Sequence, residues 1–185
     1  MVKLGIICEG ESESVIFSTP NFREWLFRLN IEFVGFAITG SKTQYKENLL
    51  PVHRRVLIDL GAERIIALLD MDNDSCITFT KQSIPQFDDQ VIVVAVKEFE
   101  NWYLADSQAL SSFVGKNTFI EKPEEELEAD RLIISLYGQR FSKSKIKLAN
   151  SMKRCGFTIE RAAGHPNCPS ARYFLNKLQT LASAN

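Results

Sequence analysis

A chain of 185 residues, 45% hydrophobic and 24% charged, has the composition of a folded globular protein and the length of one ordinary domain. Its 22 Lys and Arg against 23 Asp and Glu give a formal charge of −1, which excludes a histone-like protein bound to nucleic acid by overall positive charge, though not a local basic groove. No apolar run approaches the roughly 18–20 residues of a membrane span, the first charge comes too early for a secretory leader, and Cys8, Cys76, Cys155 and Cys168 form no CxxC pair, so a reduced, cytoplasmic protein is expected.

Val2–Cys8 reads as a strand that stops at Glu9-Gly10. A helical stretch follows from about Ser12 and restarts at Thr19-Pro20, an N-cap followed by proline at the first helical position, with Phe22, Trp25, Leu26 and Leu29 at helical spacing. Phe33–Thr39 is a second predicted strand, closed by Gly40-Ser41. Leu49, Val52, Val56 and Leu60 then mark one helical face ahead of Gly61, with Pro51 either kinking that helix or marking its regular start. Arg64–Leu69 is a third strand, running into Asp70-Met71-Asp72-Asn73-Asp74. A short helix is expected near Phe79–Ile84, and Gln90–Val96 is a fourth strand, leading to Lys97-Glu98-Phe99-Glu100. Apolar strands separated by helices are what a parallel sheet covered on both faces requires, so residues 1–106 predict a Rossmann-like α/β core with a mostly parallel sheet of about four strands. Residues 107–185 predict a helical extension packed on it, with helices at Leu127–Leu136, Ile146–Met152 and from Pro169 to Leu181.

The acidic residues fall at strand ends: Glu9 after the first strand, Asp70 and Asp72 after the third, Glu98 and Glu100 after the fourth. Ligands of open parallel sheets bind at this edge. Carboxylates gathered there repel unless a cation neutralises them or some hold protons, and hard oxygen donors of this kind suit Mg²⁺ or Mn²⁺. Glu13 lies one helical turn beyond Glu9 and reaches back toward it; support of the helix dipole explains Glu13 equally well. Asp70 and Asp72, two apart in extended chain, are expected on the same side. Glu98 and Glu100 share that spacing, which an exposed strand end would also tolerate.

Three segments together, Ile7-Cys8-Glu9-Gly10-Glu11-Ser12-Glu13, Leu68-Leu69-Asp70-Met71-Asp72-Asn73-Asp74 and Glu98-Phe99-Glu100-Asn101-Trp102-Tyr103-Leu104-Ala105-Asp106, resemble a Toprim-type catalytic domain. Such domains occur in topoisomerases, primases and the overcoming-lysogenization-defect family of nucleases. The whole chain resembles the DUF4276 family of small stand-alone Toprim-like proteins, in which the tryptophan-containing element, a later lysine and a proline-serine followed by an aromatic residue recur. Here the lysine is Lys143 or Lys145, and the last element is Pro169-Ser170 with Tyr173 and Phe174. The resemblance implies a Mg²⁺- or Mn²⁺-dependent nuclease. In it Glu9 is a metal ligand or general acid/base, Glu13 a second acid, Asp70 and Asp72 the metal-binding DxD, and Glu100, with Glu98 beside it, the acid after the next strand. Lys143 or Lys145 would stabilise charge on the reacting phosphate. Tyr103 departs from the aliphatic residue more usual there. The resemblance also implies an ATPase partner and a role in phage defence. No tyrosine is placed for a topoisomerase-style covalent link, so hydrolysis is expected.

Lys143, Lys145, Lys147, Lys153 and Arg154, beside Tyr137 and Phe141, form a candidate phosphate-binding surface; a solvated helix face is the plain alternative. A non-catalytic or partner-activated metal- and nucleic-acid-binding subunit is the chief competing function. A DxD phosphatase fits less well, because its aspartates follow the first strand. A receiver domain lacks its acidic pair at Glu9-Gly10, and Cys155, His165 and Cys168 are too few and scattered for a zinc site.

Overall fold

Four strands, β1 (Val2–Cys8), β2 (Ile31–Ile38), β3 (Arg64–Asp70) and β4 (Gln90–Ala95), pair in the order β2-β1-β3-β4 and run parallel throughout. They belong to a computed structural model that describes residues 1–45 and 49–183. The strands are apolar along most of their length because both sheet faces are covered, with the exposed Lys3, Glu32 and Arg64 confined to their first two residues. Leu4, Ile6, Cys8, Ile66, Leu68, Val93 and Ala95 face one core, and Ile7, Ile65, Ala67, Leu69, Ile92 and Val94 the other.

Helices α1 (Glu11–Phe17) and α2 (Pro20–Arg28) lead from β1 to β2, α3 (Leu50–Asp59) from β2 to β3, and α4 (Ile77–Gln82) from β3 to β4. Thr19 caps α2 as its sequence predicts, its hydroxyl accepting from the Phe22 N–H at 3.1 Å. Pro51 lies in the first turn of α3, marking its start. The face of α3 departs from expectation. Val52, 60% exposed, and Leu49, Val56 and Leu60 point outward, whereas Leu50, Arg54 and Leu57 point inward. Arg54 is the cause: its guanidinium donates to Gln90 Oε1 at 2.9 Å and Asp89 Oδ1 at 2.6 Å and stacks 3.9 Å from the Phe87 ring centroid. A charged residue with full partners thus takes a core position that hydropathy alone assigns elsewhere.

Beyond β4 the chain is helical: α5 (Glu100–Ala105), α6 (Ser107–Val114), a 3₁₀ turn (Pro123–Glu125), α7 (Ala129–Tyr137), α8 (Lys145–Arg154), α9 (Ile159–Gly164) and α10 (Pro169–Ser183). The amphipathic helices α7, α8 and α10 match their predicted positions closely. The short α5, α6 and α9 do not announce themselves by period. All six residues of α5 are buried, and α6 and α9 are set by capping, Asp106 accepting from the Ala109 N–H and Thr158 from the Arg161 N–H. These helices share the core of α1 and α2, through Phe99, Trp102, Phe157 and Phe174. Trp102 Nε1 donates to Ser170 Oγ at 2.7 Å, and Ser170 donates to Glu124 Oε1 at 2.5 Å. Among the described residues no helix is long and apolar enough to cross a membrane.

Gly5 on β1 lets α3 approach, since a Cβ there would stand 2.9 Å from Leu57 Cδ1 and 3.0 Å from Leu57 Cβ. Gly5→Ala is expected to destabilise the protein by about 1–3 kcal/mol through overpacking, read as a fall of a few degrees in Tm. Gly164→Ala, with open space around it, should leave Tm unchanged in the same melts.

Candidate functional site

The strand order reverses between β1 and β3, so the connections leaving these neighbours depart in opposite directions and open a crevice at their C-terminal ends. Glu9 follows β1 and Asp70 ends β3, one on each side of this switch point. The Asp70 N–H donates to Glu9 Oε1 at 3.0 Å, and Asp70 Oδ1 in turn accepts from the Phe99 N–H, beyond β4, at 2.8 Å. Three strand ends are thereby laced together through carboxylates. Glu13, buried in the first turn of α1, folds back: its Oε1 accepts from the Gly10 N–H at 3.2 Å and its Oε2 from Ser12 Oγ at 2.7 Å. Gly10 is needed for this, because a Cβ there would lie 2.9 Å from Glu13 Oε2. Glu100 opens α5 with its side chain 1% exposed; its Oε2 accepts from Lys145 Nζ at 3.2 Å, while its Oε1 has no hydrogen-bond partner among the described residues. The same ammonium reaches Glu98 Oε2 at 3.1 Å.

Burial dominates the electrostatics. It lifts Glu9 to about 7, with Asp72 and Glu13 adding to the rise and the Asp70 N–H and Lys42 opposing it. Burial likewise raises Glu100 to about 7 against the pull of Lys145, with Glu13 and Glu98 pushing upward. Asp70 is raised well above the usual carboxylate range, by burial first and then by Glu100, Glu13 and Glu9. For the Lys145 ammonium burial acts downward, but Glu100, Glu98 and Asp70 together outweigh it and hold the charge more firmly than on a free lysine. Glu9, Glu13, Asp70 and Glu100 therefore lie close enough to feel one another's charge.

Asp72 sits at the edge of this group, its charge reaching Glu9. Its backbone is left-handed, φ 52°, so the extended geometry that would align it with Asp70 ends one residue too early. Its carboxylate, 44% exposed, lies 3.6 Å from Lys42 Nζ. Lys42 also donates to Asp74 Oδ2 at 2.5 Å and to the Met71 carbonyl at 3.0 Å, fastening the loop after β2 to the loop after β3. Nothing in the residue pattern singles out Lys42 except its position, in the loop after the one strand without a following acid. Lys97 is also left-handed, φ 62°, so Glu98 and Glu100 are not a strand pair: Glu98 follows the bend at Val96 and Lys97, partly buried, and Glu100 opens a helix. Of the basic residues only Lys145 enters the site. Lys143 and Lys147 are exposed nearby, and Lys153 and Arg154 are exposed at the other end of α8, about 12 Å along its axis.

A cleft of about 430 Å³ lined by Asp72, Asn73, Lys97, Glu98, Leu127 and Glu128 opens beside the acids. A better enclosed cavity, between α2 and α9, contains none of them. Among the described residues no three His, Cys, Asp or Glu side chains stand close enough to form a ready-made metal nest, since the acids lean on backbone N–H groups, Ser12 and Lys145. Cys155, His165 and Cys168 do not converge either, and the four cysteines are free thiols. Asp106 is structural: both of its oxygens take the Arg161 guanidinium, and it caps α6 and accepts from the Thr158 N–H at 3.0 Å. The chain matches no family model, no curated protein and no solved structure.

Glu9 and Glu100 bind their protons more tightly when folded than when unfolded. Their contribution to stability is therefore complete below the unfolded carboxylate range, near pH 4.5, and is lost as pH rises through about 7. Thermal melts in EDTA are expected to show Tm falling between pH 5 and pH 8, and Glu9→Gln should flatten that slope.

Proposed function

We propose that the chain hydrolyses phosphodiester bonds of nucleic acid with Mg²⁺ or Mn²⁺, at the acidic crevice between β1, β3 and β4. The observation that carries this reading is the enclosure of Glu9, Asp70 and Glu100 at the switch point, with Glu13 behind them. Clustered, partly desolvated carboxylates repel an anion and favour a divalent cation. The donor set fits: it is all hard oxygen, with no imidazole or accessible thiol, and Glu100 Oε1 is a buried carboxylate oxygen with no other partner. Glu9, Asp70 and Glu100 would hold the cation, with Asp72 and Glu98 at the rim. The bound cation would supply an activated water and charge stabilisation on the phosphate oxygens.

The chain's own groups do the rest. Glu9, a carboxylate at the edge of the cation's place, would take a proton from the attacking water and return it to the leaving oxygen. Lys145 Nζ, pivoting away from Glu98 and Glu100, offers positive charge to the phosphate. Glu13 holds the β1–α1 turn in place through Gly10 and Ser12. Lys143 and Lys147, exposed near the site, would guide the nucleic-acid backbone, and Lys153 and Arg154 extend the contact along α8. The resemblance of the three acidic segments to Toprim-type domains points the same way.

One observation favours a second reading, a subunit switched on by a partner such as an ATPase in phage defence. Lys145 already bridges Glu98 and Glu100 and so fills, with a tethered cation, the place a divalent ion would take. A partner that moves α8 would free it.

Cleavage of labelled DNA and RNA in Mg²⁺, Mn²⁺ or EDTA tests both readings. Asp70→Asn and Glu100→Gln are expected to lower cleavage by roughly 100-fold or more, and Asp72→Asn, at the rim, by about tenfold or less. Cleavage that Asp70→Asn retains would overturn the site assignment. Mn²⁺ binding that appears only in Lys145→Met would favour the partner-activated subunit.

A further inference from the structure

Two of the buried side-chain polar atoms without a hydrogen-bond partner among the described residues lie one turn apart on α5: Glu100 Oε1 and the Tyr103 hydroxyl. Tyr103 is fully buried, its ring packed edge-on against Phe99 (centroids 5.6 Å apart) and Phe157 (4.7 Å), so it has no path to solvent. An enclosed hydroxyl without an acceptor is costly, and phenylalanine would fill the same apolar socket without that cost. Burial, and then the charges of Glu100, Glu13 and Asp70, hold the phenol protonated far beyond pH 10, so the hydroxyl is a permanent donor facing the acids.

The acids differ in who supplies their hydrogen bonds. Glu9 accepts from the Asp70 N–H, Asp70 from the Phe99 N–H, and Glu13 from the Gly10 N–H and Ser12. These donors are neutral, and a cation entering the site leaves them in place. The side-chain donor on Glu100 is Lys145, at Oε2, an ammonium that an incoming divalent ion would repel. Its Oε1 is the buried carboxylate oxygen left without a partner among the described residues, and Tyr103, three residues on and on the same side of the helix, is the buried donor without an acceptor.

Resting on the reading of this crevice as a divalent-cation site, we propose that Tyr103 is a positioning residue: when the cation replaces Lys145 on Glu100, the Tyr103 hydroxyl donates to the Glu100 oxygen turned away from the cation and fixes the rotation of that carboxylate. Tyr103 does not touch the cation or the substrate; it acts through Glu100. Partners of this kind typically change metal affinity 10- to 100-fold when removed.

The test is Mn²⁺ titration of wild type and Tyr103→Phe, each also in a Lys145→Met background, with metal-free melts and steady-state cleavage alongside. Tyr103→Phe is expected to keep or raise Tm, weaken Mn²⁺ binding about tenfold or more, and lower kcat with KM for nucleic acid unchanged. In a Glu100→Gln background the same substitution should have no further effect on Mn²⁺ binding. A Tyr103→Phe protein that binds Mn²⁺ within about twofold of its parent, with a raised Tm, overturns the inference and leaves the cation site standing. Absence of Mn²⁺ binding in both wild type and Lys145→Met overturns the reading of the crevice, and this inference with it.

Discussion

Like charges are gathered where burial opposes charge, and much of the architecture follows from holding them there. Glu9, Glu13, Asp70 and Glu100 feel one another across a crevice that desolvates them. Such a group collapses or protonates unless each member is given a donor. The backbone after β3 serves Glu9, the backbone before α5 serves Asp70, and the first turn of α1 serves Glu13. Glu100 is served by an ammonium from the start of α8, 45 residues on. Leu148, Ala149 and Met152 of α8 share the apolar core with Ile16 and Phe17 of α1, and that packing brings Lys145 to the site, so the helical region after β4 completes the site as well as covering a sheet face.

The tryptophan-containing segment divides into two jobs. Its first acid, Glu100, faces the crevice, while Trp102 and Asp106 are anchors. Trp102 reaches Ser170 at the start of α10, Ser170 reaches Glu124 in the 3₁₀ turn, and Asp106 takes Arg161 from α9. Each anchor is a buried polar group that would be costly alone and that specifies one partner when paired. The proline-serine element and the tryptophan element, 68 residues apart in sequence, are therefore two halves of one contact. The short α5 is pinned from three directions, which fixes the place at which Glu100 enters the crevice.

What could be read in advance tracks how local the cause is. Parallel strands buried on both sides are continuous apolar runs, so all four were legible, and with them the meeting of Glu9, Asp70 and Glu100 at one edge. Asp72 still reaches Glu9 with its charge, but a single left-handed residue ends the period-two rule that would align it with Asp70. The outward face of α3 was misjudged because Arg54 finds Asp89, Gln90 and Phe87, residues more than thirty positions away, and so outcompetes valine for the interior. Among five basic residues only Lys145 points inward, a choice made by the phase of α8 against α1 that composition cannot express. Lys42 carries no motif; its role comes from what lies opposite it in the fold.

The donors of the four acids also bear on which cation the proposed site would accept. Lys145 is tethered, so against Glu100 it acts at an effective concentration in the millimolar range or higher. A monovalent ion in solution offers no more charge than the ammonium and lacks its tether, so it has no advantage. A divalent ion has two: its second charge, and the ability to take oxygens from Glu9 and Asp70 that an ammonium held by Glu98 and Glu100 does not reach. The lysine would then serve as a filter as well as a counter-charge, keeping the acids neutralised until an ion that can engage all three strand ends arrives. Protons compete at the same oxygens, because Glu9 and Glu100 titrate near 7. The occupancy of such a crevice would thus be set by three cations, of which only the divalent one would draw β1, β3 and α5 onto a common centre.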